Sequence, residues 1–268
     1  MLLLIISISI QVFFSPNGGA REAILKEIEN AEKEINIAMY VFTDRELSNS
    51  LVSAKEKGVK IRVLLDGKSA EEIEYSKHYF LSERGINVKL DKTHKSYGDK
   101  YKGIMHNKFA VIDNGILITG SYNWTHSAEE LNNENLLIIR DEERLIRRFQ
   151  DKFEELWSRS KVVQKPIKIN PYDLAKLKKN IGEWVVISGK PTNWNISRSG
   201  HLFIDFGEGK HQFTFVLWEE GLEKLKENGF DLTKLNDKEV ELKGKLIDHK
   251  KYGLEITTSD PEAIRVVE

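Results

Sequence analysis

The sequence predicts an α/β domain followed by a small all-β domain, and three observations carry that reading. Short apolar runs at Ile35 to Phe42, Val59 to Leu65 and Ile86 to Leu90 alternate with helical patterns. A lysine-rich stretch from Ser160 to Ile181, with Pro166 and Pro171, interrupts the pattern. Beyond it, strand-like runs recur with one amphipathic helix among them. The expected organisation is therefore residues 1–159, 160–181 as a basic linker, and 182–268. The first domain should hold a mixed, largely parallel sheet flanked by helices. A chain of 268 residues is long enough to build two cores.

The elements follow in order. Met1 to Ile10 is apolar apart from two serines and too short to cross a bilayer as a helix. Ile6, Ile8, Ile10, Val12 and Phe14 alternate with Ser7, Ser9, Gln11 and Phe13, which is strand periodicity. A trimmed export signal or membrane anchor is the competing reading of this segment. An extracytoplasmic or membrane-tethered location would follow from that reading, and a cytoplasmic one from the strand. Ser15-Pro16-Asn17-Gly18-Gly19 breaks the strand, and a helix is expected from Ala20 to about Glu34. Asp44 is a suitable cap for a helix ending near Gly58. A further helix is expected over Ala70 to Glu83. Asp141 is expected to cap a long helix ending at Trp157.

Formal net charge is −1 and cysteine is absent, so no global field attracts a polyanion and no thiolate site or disulfide exists. Charge is local instead. Lys89 to Lys108 holds six lysines against two aspartates, and Ser160 to Lys179 carries a balance of +5. Lys95, Lys100 and Lys102 are candidate contacts to a phosphate backbone, although such runs are more often solvated faces.

The informative stretch is Ile104 to Trp124. Phe109 to Ile112 and Ile116 to Thr119 are β-branched runs separated by Asp113-Asn114-Gly115, a strong hairpin signal. The hairpin brings His106 and Lys108, before the first strand, beside Ser121 and Asn123, after the second. Imidazole is a nucleophile and a proton carrier at neutral pH. A lysine and an amide are donors suited to phosphoryl oxygens. No carboxylate cluster of metal-ligand type lies here, so neither a metal nor a cofactor is expected.

These residues spell H-x-K-x-x-x-x-D followed by GSxN, which resembles the HKD motif of the phospholipase D superfamily. With QVFFSPNGGAREAI before it and NNENLLII after it, the stretch from Gln11 to Trp157 resembles the Nuc-type endonucleases that carry one motif per chain. The resemblance implies His106 as nucleophile, with Lys108 and Asn123 gripping non-bridging oxygens and Ser121 assisting. It implies Glu134 as the acid that orients the histidine, and Asp113 as a support of the motif through local hydrogen bonds. It implies a homodimer, because a second histidine must come from a second copy.

The last domain shows five strand-like runs, at Trp184–Gly189, His201–Phe206, Gln212–Trp218, Glu239–Leu246 and Leu254–Thr258, with a helix at Glu219 to Lys226. The pattern resembles an OB-fold, which implies a barrel that stacks bases on aromatic side chains. Trp194, His201, Phe203 and Phe213 are the candidates. A net charge of −4 here, twelve basic against sixteen acidic residues, speaks against strong backbone contacts. The expected function is metal-independent cleavage of nucleic acid, DNA favoured and single strands plausible, through a phosphohistidine. A phospholipid phosphodiesterase, touching a membrane through the N-terminal apolar segment, and a non-catalytic nucleic-acid-binding protein are the alternatives.

Overall fold

The computed structural model describes residues 9–267 except 74, 93–95, 98–100 and 208–212. The chain divides into two units, Met1–Lys165 and Pro166–Glu268.

The first unit runs β1 (Ser9–Ser15), α1 (Ala20–Glu29), β2 (Glu34–Met39), α2 (Arg45–Glu56), β3 (Lys60–Asp66), α3 (Gly67–Glu72), α4 (His78–Glu83) and β4 (Asn87–Asp91). A small ladder of β5 (Ser96–Tyr97) and β6 (Tyr101–Lys102) follows. Then come β7 (Lys108–Ile112), β8 (Ile116–Gly120), α5 (His126–Glu130), β9 (Glu134–Arg140), α6 (Glu143–Arg159) and β10 (Lys161–Val162). The main sheet has the order β1-β9-β8-β7-β2-β3-β4-β10. It is mixed, and its parallel pairing is confined to β2, β3 and β4. The hairpin of β7 and β8 joins them antiparallel through β2, which places the His106 end of β7 beside the end of β2.

Both faces of the sheet are covered, which is why its central strands read as continuous apolar runs. Ile24 and Ile28 of α1 and Leu47 and Leu51 of α2 pack on Ile35, Ile37, Val63 and Leu65. Ile146, Phe153 and Leu156 of α6 pack on Phe109, Val111 and Leu117 across the other face. Asp44 caps α2 by accepting from the Leu47 N–H at 2.9 Å.

Several expectations change. The helix expected over Ala70 to Glu83 is two short ones, because Ile73 is extended and the Lys77 N–H is held by the Phe42 carbonyl at 2.9 Å. Asp141 does not cap α6. Its φ of 62° is left-handed, and the cap position is Glu142. The alternation in β1 runs opposite to a buried apolar face, with Phe13 turned to the core. Ile10, Val12 and Phe14 are 57 %, 51 % and 64 % exposed. They lie on the α6 face, beyond that helix, on an edge strand paired only with β9. Residues 1–8 lie outside the described residues. Among the described residues, no helix is long and apolar enough to cross a membrane.

The segment expected as a linker is divided between the units. β10 pairs with β4 in the first. In the second, β11 (Ile167–Ile169) pairs with β12 (Trp184–Gly189), and α7 (Leu174–Lys179) lies between them. Then follow β13 (Asn193–Ile196), β14 (Leu202–Phe206), β15 (Phe213–Leu217), α8 (Glu219–Glu227), β16 (Val240–Lys245), β17 (Ile247–His249), β18 (Gly253–Thr258) and β19 (Ile264–Val266). They form two sheets, β11-β12-β16-β19 and β13-β14-β15-β18-β17. Val185, Ile187, Phe206, Phe213, Phe215, Leu242 and Ile256 fill the space between them.

Candidate active site

The hairpin turn is built by Asp113 and Asn114, with φ of 52° and 56°, and closed by the Gly115 N–H to the Ile112 carbonyl at 3.0 Å. The positive-φ pair is thus Asp113-Asn114, one residue earlier than Asn-Gly. This conformation aims the Asp113 carboxylate at the loop entering β2. It accepts from the backbone N–H groups of Glu32, Lys33 and Glu34 at 2.8, 2.7 and 2.8 Å. Burial alone would raise the Asp113 carboxyl, but those three N–H donors outweigh it and hold the group below its ordinary value. Asp113 is therefore a staple at the end of the hairpin remote from His106.

At the other end, Met105 is buried and its N–H donates to the buried Asp66 carboxylate at 2.9 Å. That bond fixes the backbone where His106 leaves the core. The imidazole itself is exposed, with its centroid 4.5 Å from the Tyr40 ring. Lys108 Nζ donates to the His106 carbonyl at 3.0 Å and lies 5.1 Å over the same Tyr40 ring. Partial burial lowers the His106 pKa, Lys108 adds to the effect, and Asp66 opposes it. The histidine is thereby held neutral and nucleophilic over a wider range. Partial burial also lowers the Lys108 ammonium, while Glu134 pulls it back up.

Asn123 arrives on the other strand of the hairpin. Gly120, at φ 155°, leaves no room for a side chain, since a Cβ there would meet the Asn135 carbonyl oxygen at 2.1 Å. Past it, Tyr122 and Trp124 point inward and are buried, so Ser121 and Asn123 alternate toward the site. The Trp124 carbonyl accepts from Thr43 and Asp44 N–H at 2.9 and 3.0 Å, and Asn123 Oδ1 accepts from Val41 N–H at 3.3 Å. With Oδ1 so engaged, the Asn123 NH₂ is left to face outward as a donor. Beneath it, the Tyr122 hydroxyl donates to Glu129 at 2.7 Å, and Glu129 also accepts from the Arg21 N–H at 3.1 Å. Burial, then that hydrogen bond, raises the phenol far above its ordinary value, so it stays a donor.

The remaining candidates are placed less as expected. Ser121 Oγ donates to Glu134 at 2.5 Å and accepts from the Asn135 N–H at 3.0 Å, so its hydroxyl is committed to the protein. Glu134 also accepts from Asn132 at 3.2 Å. Within one chain its carboxylate braces Ser121 and faces Lys108, and no hydrogen bond joins it to the His106 ring. Lys102 falls on β6, and Lys95 and Lys100 lie outside the described residues. In the second unit, Trp194 is half-buried and its Nε1–H donates to Asn236 at 2.8 Å. Phe213 is interior, Phe203 stands on the outer face of the sheet, and the His201 ring packs edge-on to Trp218. Tyr40 and Asp66 were not legible as site residues. They come from the ends of β2 and β3, far from the motif in sequence, and carry no local signature.

Among the described residues, no group of three His, Asp or Glu side chains gathers in a way that could hold a metal ion. What the arrangement offers is one exposed neutral imidazole, one cation and one amide donor at a single sheet end. Fold and site together present the kinds of group that phosphoryl transfer uses.

Residues 24–157, half of the chain, match the family described as cardiolipin synthase, PLD-like domain, and the chain belongs to that phospholipase D-like family. It is 35% identical over 133 residues to a phospholipase D of Rickettsia prowazekii, half of this chain and 60% of that protein. It is 32% identical over 143 residues to the human mitochondrial cardiolipin hydrolase, 53% of each. The match thus spans little more than half the length of these curated relatives. Among solved structures, Nuc of Salmonella typhimurium, a phospholipase D family member, is 27% identical with a TM-score of 0.53. NucT of Helicobacter pylori is also 27% identical, with a TM-score of 0.55. In both cases the match covers 59% of this chain and all of the other.

Proposed function

We propose that this protein is a nuclease, a metal-independent phosphodiesterase that cuts nucleic acid through a phosphohistidine in a site shared by two copies of the chain. One observation carries the reading. Among the described residues, His106 is the single imidazole at the sheet end that also holds Lys108 and Asn123, and we assign the second proton carrier to a second copy of the chain. His106 of one subunit attacks phosphorus, forming the P–N bond as the P–O bond breaks. His106 of the partner subunit gives its proton to the leaving oxygen. In the second half, water attacks phosphorus, loses its proton to that same imidazole, and releases the phosphate from nitrogen. Lys108 and Asn123 hold the non-bridging oxygens through both steps. Two displacements leave the configuration at phosphorus retained, and inversion of a chiral phosphorothioate would exclude the covalent intermediate.

Nucleic acid is favoured over lipid because the structural likeness to Nuc and NucT takes in the whole of those chains, and because the second unit's pattern of strands resembles an OB-fold. The lipid reading has its own support. Relatives are named phospholipase D and cardiolipin hydrolase, and Ile104 and Leu131 are exposed on segments entering the site. The deciding experiment incubates labelled DNA and RNA, single- and double-stranded, and cardiolipin vesicles with the wild type and with His106→Ala in EDTA. Cleavage of strands by the wild type alone supports the nuclease, release of phosphatidic acid alone the lipase, and neither a binding protein. Light scattering tests the assembly, and a fully active monomer would refute the shared site.

A further inference from the structure

A side chain that attacks must be held at one angle, and a hydrogen bond to it from an orienting group is the usual means. The His106 ring has no such bond among the described residues. Glu134, expected to supply it, is engaged with Ser121 and Asn132. The imidazole is exposed, so the core does not clamp it either. The side chain it does pack against is Tyr40, with ring centroids 4.5 Å apart and planes at 59°.

Tyr40 is the middle residue of three that each meet one member of the site. Met39 lies opposite Lys108 in the ladder of β2 and β7. The Val41 N–H donates to Asn123 Oδ1 at 3.3 Å. Between them the half-buried Tyr40 ring packs against His106 and lies under Lys108 Nζ at 5.1 Å. The chain just beyond is tied down on both sides. Phe42 is buried edge-on against Trp124, with centroids 5.1 Å apart, and its carbonyl accepts from the Lys77 N–H at 2.9 Å. The Thr43 and Asp44 N–H groups donate to the Trp124 carbonyl at 2.9 and 3.0 Å. With its neighbours fixed, the Tyr40 backbone has little freedom, and a tyrosine ring has only two torsions left to settle. The ring is a rigid wall at the sheet end.

We infer that Tyr40 is the positioning residue of the nucleophile, its ring setting the angle of the His106 imidazole and holding Lys108 beside it. An aromatic face attracts an ammonium group. Lys108 is thus drawn to the wall, and its Nζ donates to the His106 carbonyl at 3.0 Å, away from the imidazole nitrogens. An imidazole free to swing off the line of attack would lose rate steeply, because misplacement by about 1 Å costs on the order of a hundredfold. The role needs the flat ring and not the hydroxyl, since it is the ring that meets both neighbours. This assignment rests on the reading of His106 as the attacking group, and it holds whichever phosphodiester reaches the site.

The test uses the full chain in EDTA with bis(p-nitrophenyl) phosphate, a chromogenic diester that has neither a base nor an acyl chain. Tyr40→Leu should lower kcat by roughly 30-fold with KM nearly unchanged, because the ring acts on the nucleophile and not on the substrate. Tyr40→Phe, which keeps the ring, should recover most of the rate. Thermal melting identifies a variant that has merely unfolded, and Tyr40→Gln is the second ringless variant should Tyr40→Leu not fold. Parent-like kcat in the folded ringless variant, a change confined to KM, or an equal loss in Tyr40→Phe overturns the assignment. If the wild type turns over the diester and His106→Ala does not, while Tyr40→Leu matches the wild type, only the role of Tyr40 is refuted. If His106→Ala is as active as the wild type, or neither is active, the phosphohistidine reading falls and the role of Tyr40 falls with it.

Discussion

The two ends of the β7–β8 hairpin belong to one short motif and are opposite in kind. At the turn, Asp113 receives three backbone N–H groups within 2.8 Å. At the open end, the His106 ring is exposed and packs against the Tyr40 ring. The contrast teaches how a single motif divides its work. One end uses its polar capacity on the fold, so that the other can leave its capacity for a substrate. The difference also makes the two ends separable by experiment.

The largest effect should come from the open end. His106→Ala should reduce turnover by roughly 10⁴-fold or more, the range seen when a covalent nucleophile is removed, with urea denaturation midpoints close to the parent. An equal loss of stability would erase the distinction between the ends. Next, Asn123→Ala should cost about 10²–10³ in kcat, as expected for one lost donor to a charged transition state. A change confined to KM would mean that the amide binds substrate without favouring the transition state.

At the turn, Asp113→Ala should lower stability by about 2 kcal/mol, the scale of hydrogen bonds to a charged group, measured by urea unfolding at pH 7. Residual activity below the melting range should stay near the parent's. The sign of the pH dependence follows from the depressed carboxyl. Its contribution is fully present above the unfolded value near 3.8 and is lost as pH falls through the lower folded value. The gap between wild type and Asp113→Ala should therefore close in strongly acidic buffer. A gap that persists there would assign it to something other than the carboxylate.

The smallest effect is a displacement of the pH–rate profile. Attack needs a neutral imidazole, and burial followed by Lys108 lowers the His106 pKa from 6.5. The acid limb of kcat/KM should accordingly lie below pH 6.5, and Lys108→Met should move it upward. In the proposed shared site, the limbs report both imidazoles and not either ring alone. An acid limb above 6.5 would mean that the lysine does not act on the nucleophile.

How far the sequence revealed this molecule depends on the distance over which each decision is made. The hairpin, the Asp44 cap and the gathering of His106, Lys108, Ser121 and Asn123 are decided within a few residues, and local patterns announce them. Tyr40 and Asp66 enter the site because β2 and β3 end beside β7, a fact of sheet order that no window contains. The break at Ile73 is likewise made by a distant carbonyl, that of Phe42. Phe213 shows a different failure. Thr214 beside it marks the outer face, so strand alternation turns Phe213 inward. The same alternation, read from Asp205, puts Phe203 outside.

The border between the units falls at the bond between Lys165 and Pro166. Exposed segments between domains are where proteases first nick a chain. Trypsin-like enzymes cut after lysine, but not when proline follows, so the border residue that looks most vulnerable is chemically shielded. Lys161 and Lys168, the lysines on either side of it, lie on β10 and β11, whose backbones are tied into their own sheets. Releasing the two units intact therefore calls for a protease of another specificity, and a tryptic digest that leaves the halves joined would not argue that they are one domain.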